Sequence, residues 1–310
     1  MASPILHIKD SFYFEVPRFA WHPYQALDDV PKWLRLKHPH ATLDEFNHDL
    51  VGKIIIPQPF GTPKNLYQKE SGFCISRFMV IELVVAFLLI AVFSVVARRL
   101  RQGGPPRGKM WNFFESILVY IRNEVVEPAI GHHDAHKFAP LLWTVFFFVL
   151  FCNLMGLVPW AGSPTASFST TLALAGVTFA TVIASGSMKF GPVGFWLNQV
   201  PSMDLPWYFF PLKVVIFVIE VGGLLIRHAI LAVRLLANMV AGHVVLLGIM
   251  GMAVGAAGYL SLHDVNWVVT IISAVSSMLF NILELFVAFL QAYIFTFLSA
   301  LFIGAAVHHH

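Results

Sequence analysis

Long apolar runs separated by short polar breaks set the architecture of this chain. Apolar residues fill three blocks of membrane length, at 78–97, 139–158 and 170–187, and two longer ones, at 207–250 and 267–306. A hydrocarbon core of about 30 Å takes about 20 helical residues, so each of the first three blocks predicts one membrane helix. Trp207 to Met250 is different: about 44 residues at about 1.5 Å each make about 66 Å of helix, roughly twice the core thickness. It reads either as two spans with a turn near Arg227-His228, or as one helix steeply tilted or bent in the membrane. No proline or polar cluster makes a turn there, and Gly222-Gly223 offers only a kink, so the single helix is favoured. GAAGYLSLHDVN at 255–266 predicts the turn into the last helix. Upstream, Trp111, Phe114, Ile117, Leu118, Ile121 and Val125 recur at i, i+3, i+4 spacing, with Glu115, Arg122 and Glu124 elsewhere, which predicts an amphipathic interfacial helix over 110–127. The fold class expected is all-α and polytopic: about five membrane-embedded helices, two of them long, steeply tilted and paired as a hairpin, plus the amphipathic helix.

The breaks carry the polarity. Residues 1–75 hold eight Lys/Arg and eight Asp/Glu up to residue 70, with recurring Pro, His and aromatics, and predict a loosely folded extramembrane extension. The N-terminus shows neither a basic region ahead of an apolar core nor an Arg/Ser-rich bias, so no signal or transit peptide is read. Directly after the first apolar block come Arg98, Arg99, Arg101, Arg107 and Lys109, with no acid among them. That positive-inside signal places the N-terminal extension outside and the end of the first helix in the cytoplasm, and carried along the chain it leaves the C-terminus cytoplasmic. GGPP at 103–106, Pro159 and Gly191-Pro192 mark further breaks, and 307–310 is a short tail.

Composition agrees with the pattern. The chain has 310 residues, is 57% hydrophobic and 12% charged, and has a mean hydropathy of +0.73. A soluble domain carries about 25% charged residues. Continuous rather than alternating runs argue against a transmembrane barrel, and a net charge of +3 is too small to point to nucleic acid. Cys74 and Cys152 lie far apart, at or in apolar segments, and read as unpaired and buried.

Ionisable groups at membrane depth cost about 2.5–3.5 kcal/mol at a helix centre and are functional candidates by default. Glu220, Arg227, Arg234 and Asn238 recur at steps of 7, 7 and 4 and fall on nearly one helical face. Glu284 and Gln291 share a face of the last helix. Glu220 lies about 21 Å before Arg234 along a helix and His243 about 14 Å after it. An arginine that stays charged at physiological pH sits between a carboxylate and an imidazole, the groups that exchange protons near neutrality. That order suits two half-channels that must not connect. Glu220 and Arg227 equally suit a pair with each other, and His228, one residue off the stripe, reads as structural. The HHDAH run at 132–136 puts His132 and His136 four apart, yet reads as a solvated interfacial loop rather than a metal site. No cofactor, metal or catalytic group is expected.

These residues carry a resemblance. RLLANMVAGH at 234–243 resembles the hallmark R-L-x-x-N-x-x-A-G segment of the membrane-embedded a subunit of F-type ATP synthases. LQAYIF at 290–295 resembles that family's last-helix signature, and NLMGLVP at 153–159 its second-helix ending. The resemblance covers about 76–306. It implies a non-catalytic stator subunit that carries protons to and from the carboxylates of a rotating c-subunit ring, beside b-type peripheral stalk subunits and the rest of the synthase, in the bacterial plasma (inner) membrane. Arg234 matches the essential arginine, Asn238 and Gln291 the polar residues around it, and Glu220 an acid of the cytoplasmic half-channel. His243 and Glu284 match an outer-channel pair that many bacterial members carry the other way round. Gly156 stands where some members have an acid, a departure from the pattern. The alternative is a stand-alone proton-coupled secondary transporter, but such carriers usually show internal repeats, and none is evident here.

Overall fold

The computed structural model describes residues 10–17, 19, 21–101, 108–158, 161–197, 199, 210–259 and 263–308. Five helices are long and apolar enough to cross a membrane: Arg77–Arg98, His132–Leu157, Phe168–Phe190, Pro211–Ile249 and Ile271–Val307. The chain divides into two compact units. One comprises Met1–Phe87, Cys152–Ser167 and Val240–Glu284; the other comprises Leu88–Phe151, Phe168–Met239 and Leu285–His310.

The N-terminal part of the first unit is more ordered than its polarity predicts. Strands β1 (Tyr13–Glu15) and β2 (Lys53–Ile55) pair antiparallel, with Tyr13 opposite Ile55, and helices α1 (Lys32–Lys37) and α2 (Leu43–Asp49) lie between them in sequence. Strands β3 (Gly61–Asn65) and β4 (Gln68–Gly72) form a hairpin. Thr42 starts α2 through a capping box: its hydroxyl accepts from the Glu45 N–H while Glu45 accepts from the Thr42 N–H. Phe12, Tyr13, Val30, Phe46, Leu50 and Ile56 are buried together with this framework. The expectation of a loosely folded extension is therefore corrected. Its apolar residues are few and far apart in sequence, so no local periodicity announces them, but the β1–β2 pairing gathers them.

Helix α3 (Arg77–Arg101) starts the membrane part; residues 103–106, read as a break, lie outside the described residues. In the second unit the interfacial segment opens as α4 (Lys109–Tyr120), widens into a π-helical stretch, Ile121–Val126, and closes as the short α5 (Glu127–Ile130). The π stretch shifts the register of the face, so that Ile121, Val125 and Val126 are all buried while Arg122, Asn123 and Glu124 are exposed. Gly131, at φ +87°, turns the chain from α5 into α6 (His132–Leu157), a backbone angle that L side chains rarely adopt.

HHDAH is therefore the first turn of a helix, not a loop. Asp134 holds it there by accepting from Lys137 at 2.8 Å and from Lys189 of α7 (Phe168–Phe190) at 3.4 Å. The three histidines are exposed, and among the described residues no group of three His, Cys, Asp or Glu gathers as a metal site. Phe93 packs edge-on against Phe114 and Phe147, with 4.9 Å between the centroids of Phe93 and Phe147, and Trp143 donates to the Leu118 carbonyl at 3.0 Å. After α7, Gly191 leads into the short α8 (Pro192–Leu197). Phe195 of α8 lies so close over Gly186 that a methyl group there would collide with its ring.

Helix α9 runs unbroken from Phe210 to Tyr259, through the Gly222-Gly223 pair, and α10 runs from His263 to Val307. The predicted turn at 255–266 is thus shorter than its glycines suggest: 255–259 and 263–266 are helical, and 260–262 lie outside the described residues. In an apolar surround, every backbone group left out of a helix stays unsatisfied, which outweighs the roughly 1 kcal/mol that a glycine costs a helix. Cys152 is buried as expected, whereas Cys74 is only half-buried; both are free thiols. Pro159 also lies outside the described residues.

Candidate functional site

Helix α9 presents two different flanks. Leu224, His228, Leu231, Ala232, Leu235 and Met239 form its buried face in the second unit. They recur at three- to four-residue steps, so the face is set by sequence alone. Glu220, Arg227, Arg234 and Asn238 lie to one side of it: the two arginines are exposed, and Glu220 and Asn238 are half-buried. The stripe expected from spacing is therefore a flank that the chain leaves uncovered.

Within the stripe, Arg227 and Glu220 bridge two helical turns, with Nη2 3.1 Å from Oε1. With these side chains 48% and 36% exposed, the pair is a partly solvated ion pair of small intrinsic strength. Arg234 differs. Among the described residues it makes no ion pair and no side-chain hydrogen bond, although it stands inside the apolar stretch Pro211–Ile249. A permanent cation in that setting needs an anion, and within the described chain none reaches it. His228 is structural: it is 3% exposed, its Nδ1–H donates to the Leu224 carbonyl at 2.9 Å, and its ring sits between Phe179 and Phe302, 5.1 and 4.8 Å away by centroid.

The first unit holds the second constellation. His243 Nδ1 is 2.9 Å from Glu284 Oε1, which joins residues 41 positions apart. The glutamate side chain is 4% exposed and the histidine 17%. The other carboxylate oxygen, Glu284 Oε2, is buried without a partner among the described residues. Gly242 makes the approach achievable, because a Cβ there would stand 2.7 Å from Glu284 Oε1. In the sequence Gly242 is only the last residue of the R-L-x-x-N-x-x-A-G segment; its steric role is visible in the fold alone.

Gln291, seven residues after Glu284, is buried in the second unit on the packed face of α10. Most other buried polar residues of this face are satisfied locally: Thr296 donates to the Ala292 carbonyl at 2.9 Å and Ser299 to the Phe295 carbonyl at 2.7 Å. That is the ordinary way a hydroxyl is accommodated inside a membrane helix. Glu284 does not follow it: its carboxylate bonds His243 of another helix, which separates it from the structural polar residues of the same helix.

A sequence model of the ATP synthase A chain family matches residues 79–304. The chain belongs to this family. Its match covers Glu220, Arg227, Arg234, Asn238, His243, Glu284 and Gln291 and leaves the N-terminal extension aside. Similar proteins include the ATP synthase subunit a of an Anaeromyxobacter species, 34% identical over 308 residues, which are 98% of this chain and 70% of that relative. The subunit a of Chloroherpeton thalassium is 35% identical over 278 residues, 88% of this chain and 79% of the relative. That of Anaeromyxobacter dehalogenans is 42% identical over 205 residues, 66% of this chain and 50% of its own length. The chain thus spans between half and about four fifths of the length of these relatives, all of them bacterial.

Proposed function

We propose that this chain is the stator a subunit of a bacterial F-type ATP synthase, a non-catalytic subunit that passes protons through two offset half-channels. The observation that carries this reading is Arg234: an exposed cation without an ion-pair partner among the described residues, inside the membrane-length apolar stretch Pro211–Ile249 and on the uncovered flank of α9. Its anion is supplied from outside the chain, by the ion-binding carboxylate of a neighbouring c-subunit ring. The contact has to form and break at every step. An exposed arginine on a partly screened flank meets that need better than a dry buried pair, whose attraction is strong and slow to part.

On one side of Arg234, the buried His243–Glu284 pair supplies the outer half-channel. An imidazole bonded to one carboxylate oxygen, with the other oxygen buried and unpartnered among the described residues, can take a proton at either group and hand it on. On the other side, Glu220 supplies the cytoplasmic half-channel, with Arg227 holding its carboxylate. Asn238 and Gln291 are the neutral polar groups that flank the arginine. The charge of Arg234 bars a direct leak between the halves. One proton moving down 100 mV yields about 2.3 kcal/mol, and a continuous pore would dissipate it. The c-ring and the b-type stalk subunits are the expected partners, with the N-terminus outside and the C-terminus in the cytoplasm.

Arg234→Ala tests the reading. ATP-driven proton pumping in inverted vesicles is expected to be abolished while the complex still assembles. Coupled pumping by an assembled Arg234→Ala enzyme overturns the proposal.

A further inference from the structure

The N-terminal extension lies outside the family match, and the proposed proton path does not use it. Its hairpin is polar along most of its length. Thr62, Lys64, Asn65, Gln68, Lys69, Glu70 and Ser71 are all exposed. Two large apolar side chains stand at one end. Phe60 is 73% exposed and Phe73 58%. They are cross-strand neighbours, because the Phe73 N–H donates to the Phe60 carbonyl at 3.1 Å.

Two glycines make this pairing achievable. Gly61 lies opposite Gly72; a Cβ on Gly61 would stand 2.7 Å from the Phe73 carbonyl oxygen, and one on Gly72 would collide with the Phe60 carbonyl. Gly72 also adopts φ +75°. The strands close to this distance only with no side chain at either position, and the closure brings the Phe60 and Phe73 backbones into hydrogen-bonding register.

The aromatic end is the end fastened to the first membrane span. Gln58 bonds Ile75 twice, its Nε2 donating to the Ile75 carbonyl at 2.7 Å and its Oε1 accepting from the Ile75 N–H at 2.8 Å. The Arg77 N–H donates to the Ser11 carbonyl at 2.8 Å and the Phe78 N–H to Asp10 Oδ1 at 3.3 Å. Arg77 begins the span Arg77–Arg98, and Phe73 precedes it by four residues. Four residues reach at most about 14 Å, so Phe73 stays within that distance of the start of the span, beside a headgroup layer of about 5–7.5 Å on each side of the hydrocarbon core. The charged end of the hairpin lies at the far end of the strands from its aromatic end.

We propose that Phe60 and Phe73 form a lipid anchor, seated in the interfacial layer of the bilayer at the start of the first span. Aromatic side chains at that depth find an apolar layer beside a wet one, and the polar remainder of the hairpin stays in water. The partner is phospholipid rather than another subunit, because Phe73 stands four residues before a span of membrane length whose Leu83, Val84 and Phe87 are exposed apolar side chains.

A photocrosslinking experiment on the whole synthase tests this. Benzoylphenylalanine is placed at 60, at 73, or at 69 on the charged end, and the complex is reconstituted in vesicles of phosphatidylethanolamine and phosphatidylglycerol. After irradiation, the subunit substituted at 60 or 73 is expected to gain the mass of one phospholipid, and the one substituted at 69 is not. Adducts to another subunit at 60 and 73, no adduct at either, or equal lipid labelling at 69 each overturn the proposal. The result is independent of proton pumping, so it stands or fails apart from the reading of Arg234.

Discussion

Gly242 offers the sharpest test of the histidine–carboxylate pair, because its replacement disturbs the pair without removing either member. A Cβ at 242 stands 2.7 Å from Glu284 Oε1 and 3.1 Å from Cδ. Ordinary contact begins near 3.4 Å, so the carboxylate has to retreat by 3.4 − 2.7 = 0.7 Å. The atom displaced is the one bonded to His243 at 2.9 Å, and a retreat directed away from the imidazole takes that separation up to about 3.6 Å, outside hydrogen-bond range. A hydrogen bond to a charged group contributes about 1.5–3 kcal/mol. Alanine returns about 1 kcal/mol through its better helix propensity. Gly242→Ala is therefore expected to change the stability of the complex by no more than about 2 kcal/mol. If protons pass through the pair, pumping falls about tenfold or more, since each 1.4 kcal/mol of lost coupling is tenfold in rate. The assay is ATP-driven acidification of inverted vesicles, normalised to assembled complex. Gly176→Ala, where a Cβ meets nothing within 4 Å, serves as control and should pump normally. Pumping by Gly242→Ala within twofold of the control would refute the reasoning.

Three further predictions follow from the same contacts. Exchanging the pair as His243→Glu with Glu284→His should restore much of the pumping that either single change loses; a double variant no better than the worse single one shows that the two do not act as a unit. Gly304→Val should destabilise the packing of α10 on α5 by about 1–3 kcal/mol or more, since even a Cβ there collides with the Ala129 carbonyl, and heating the purified complex should release the subunit at a lower temperature. In the extension, the Lys37 ammonium, 2.6 Å from Glu70, holds the Glu70 carboxyl below its ordinary value of 4.5. Because the folded value is depressed, the contribution is present above about pH 4.5 and is lost as the pH falls through the lower folded value. Protease resistance of the extension in the unsubstituted protein should therefore weaken in that acid window, and Glu70→Gln should flatten the dependence.

Much of the membrane part was legible in the sequence because hydrophobic length is a direct readout of a physical requirement. The long α9 was readable as a single helix from what it lacks, a proline or polar break near Arg227. Steps of 7, 7 and 4 placed Glu220, Arg227, Arg234 and Asn238 on one flank, and the structure leaves that flank uncovered. Spacing could not decide whether Glu220 pairs with Arg227, which depends on side-chain reach, nor show that Gly242 makes room for Glu284, a contact across 42 positions. The start of α6 at His132 was hidden for a different reason: its first turn is polar, and it is held by Asp134 bonding to Lys189, 55 positions away. The folded extension is not legible in the sequence because Tyr13 opposite Ile55 is a non-local pairing with no periodic signature. The π-helical stretch at Ile121–Val126 reads as plain helix at the level of residue pattern.

The bonds from Asp10 and Ser11 to Phe78 and Arg77 also bear on how the subunit is made. They close a loop of nearly seventy residues, so the extension completes its fold only once the start of the first span has emerged beside it. The strand pairings within the extension need only residues up to Gly72, so the seam to Arg77 and Phe78 is the last of its contacts that the order of the chain allows to form. The first turn of the first membrane-length helix is thus joined to a body whose own pairing can already be complete.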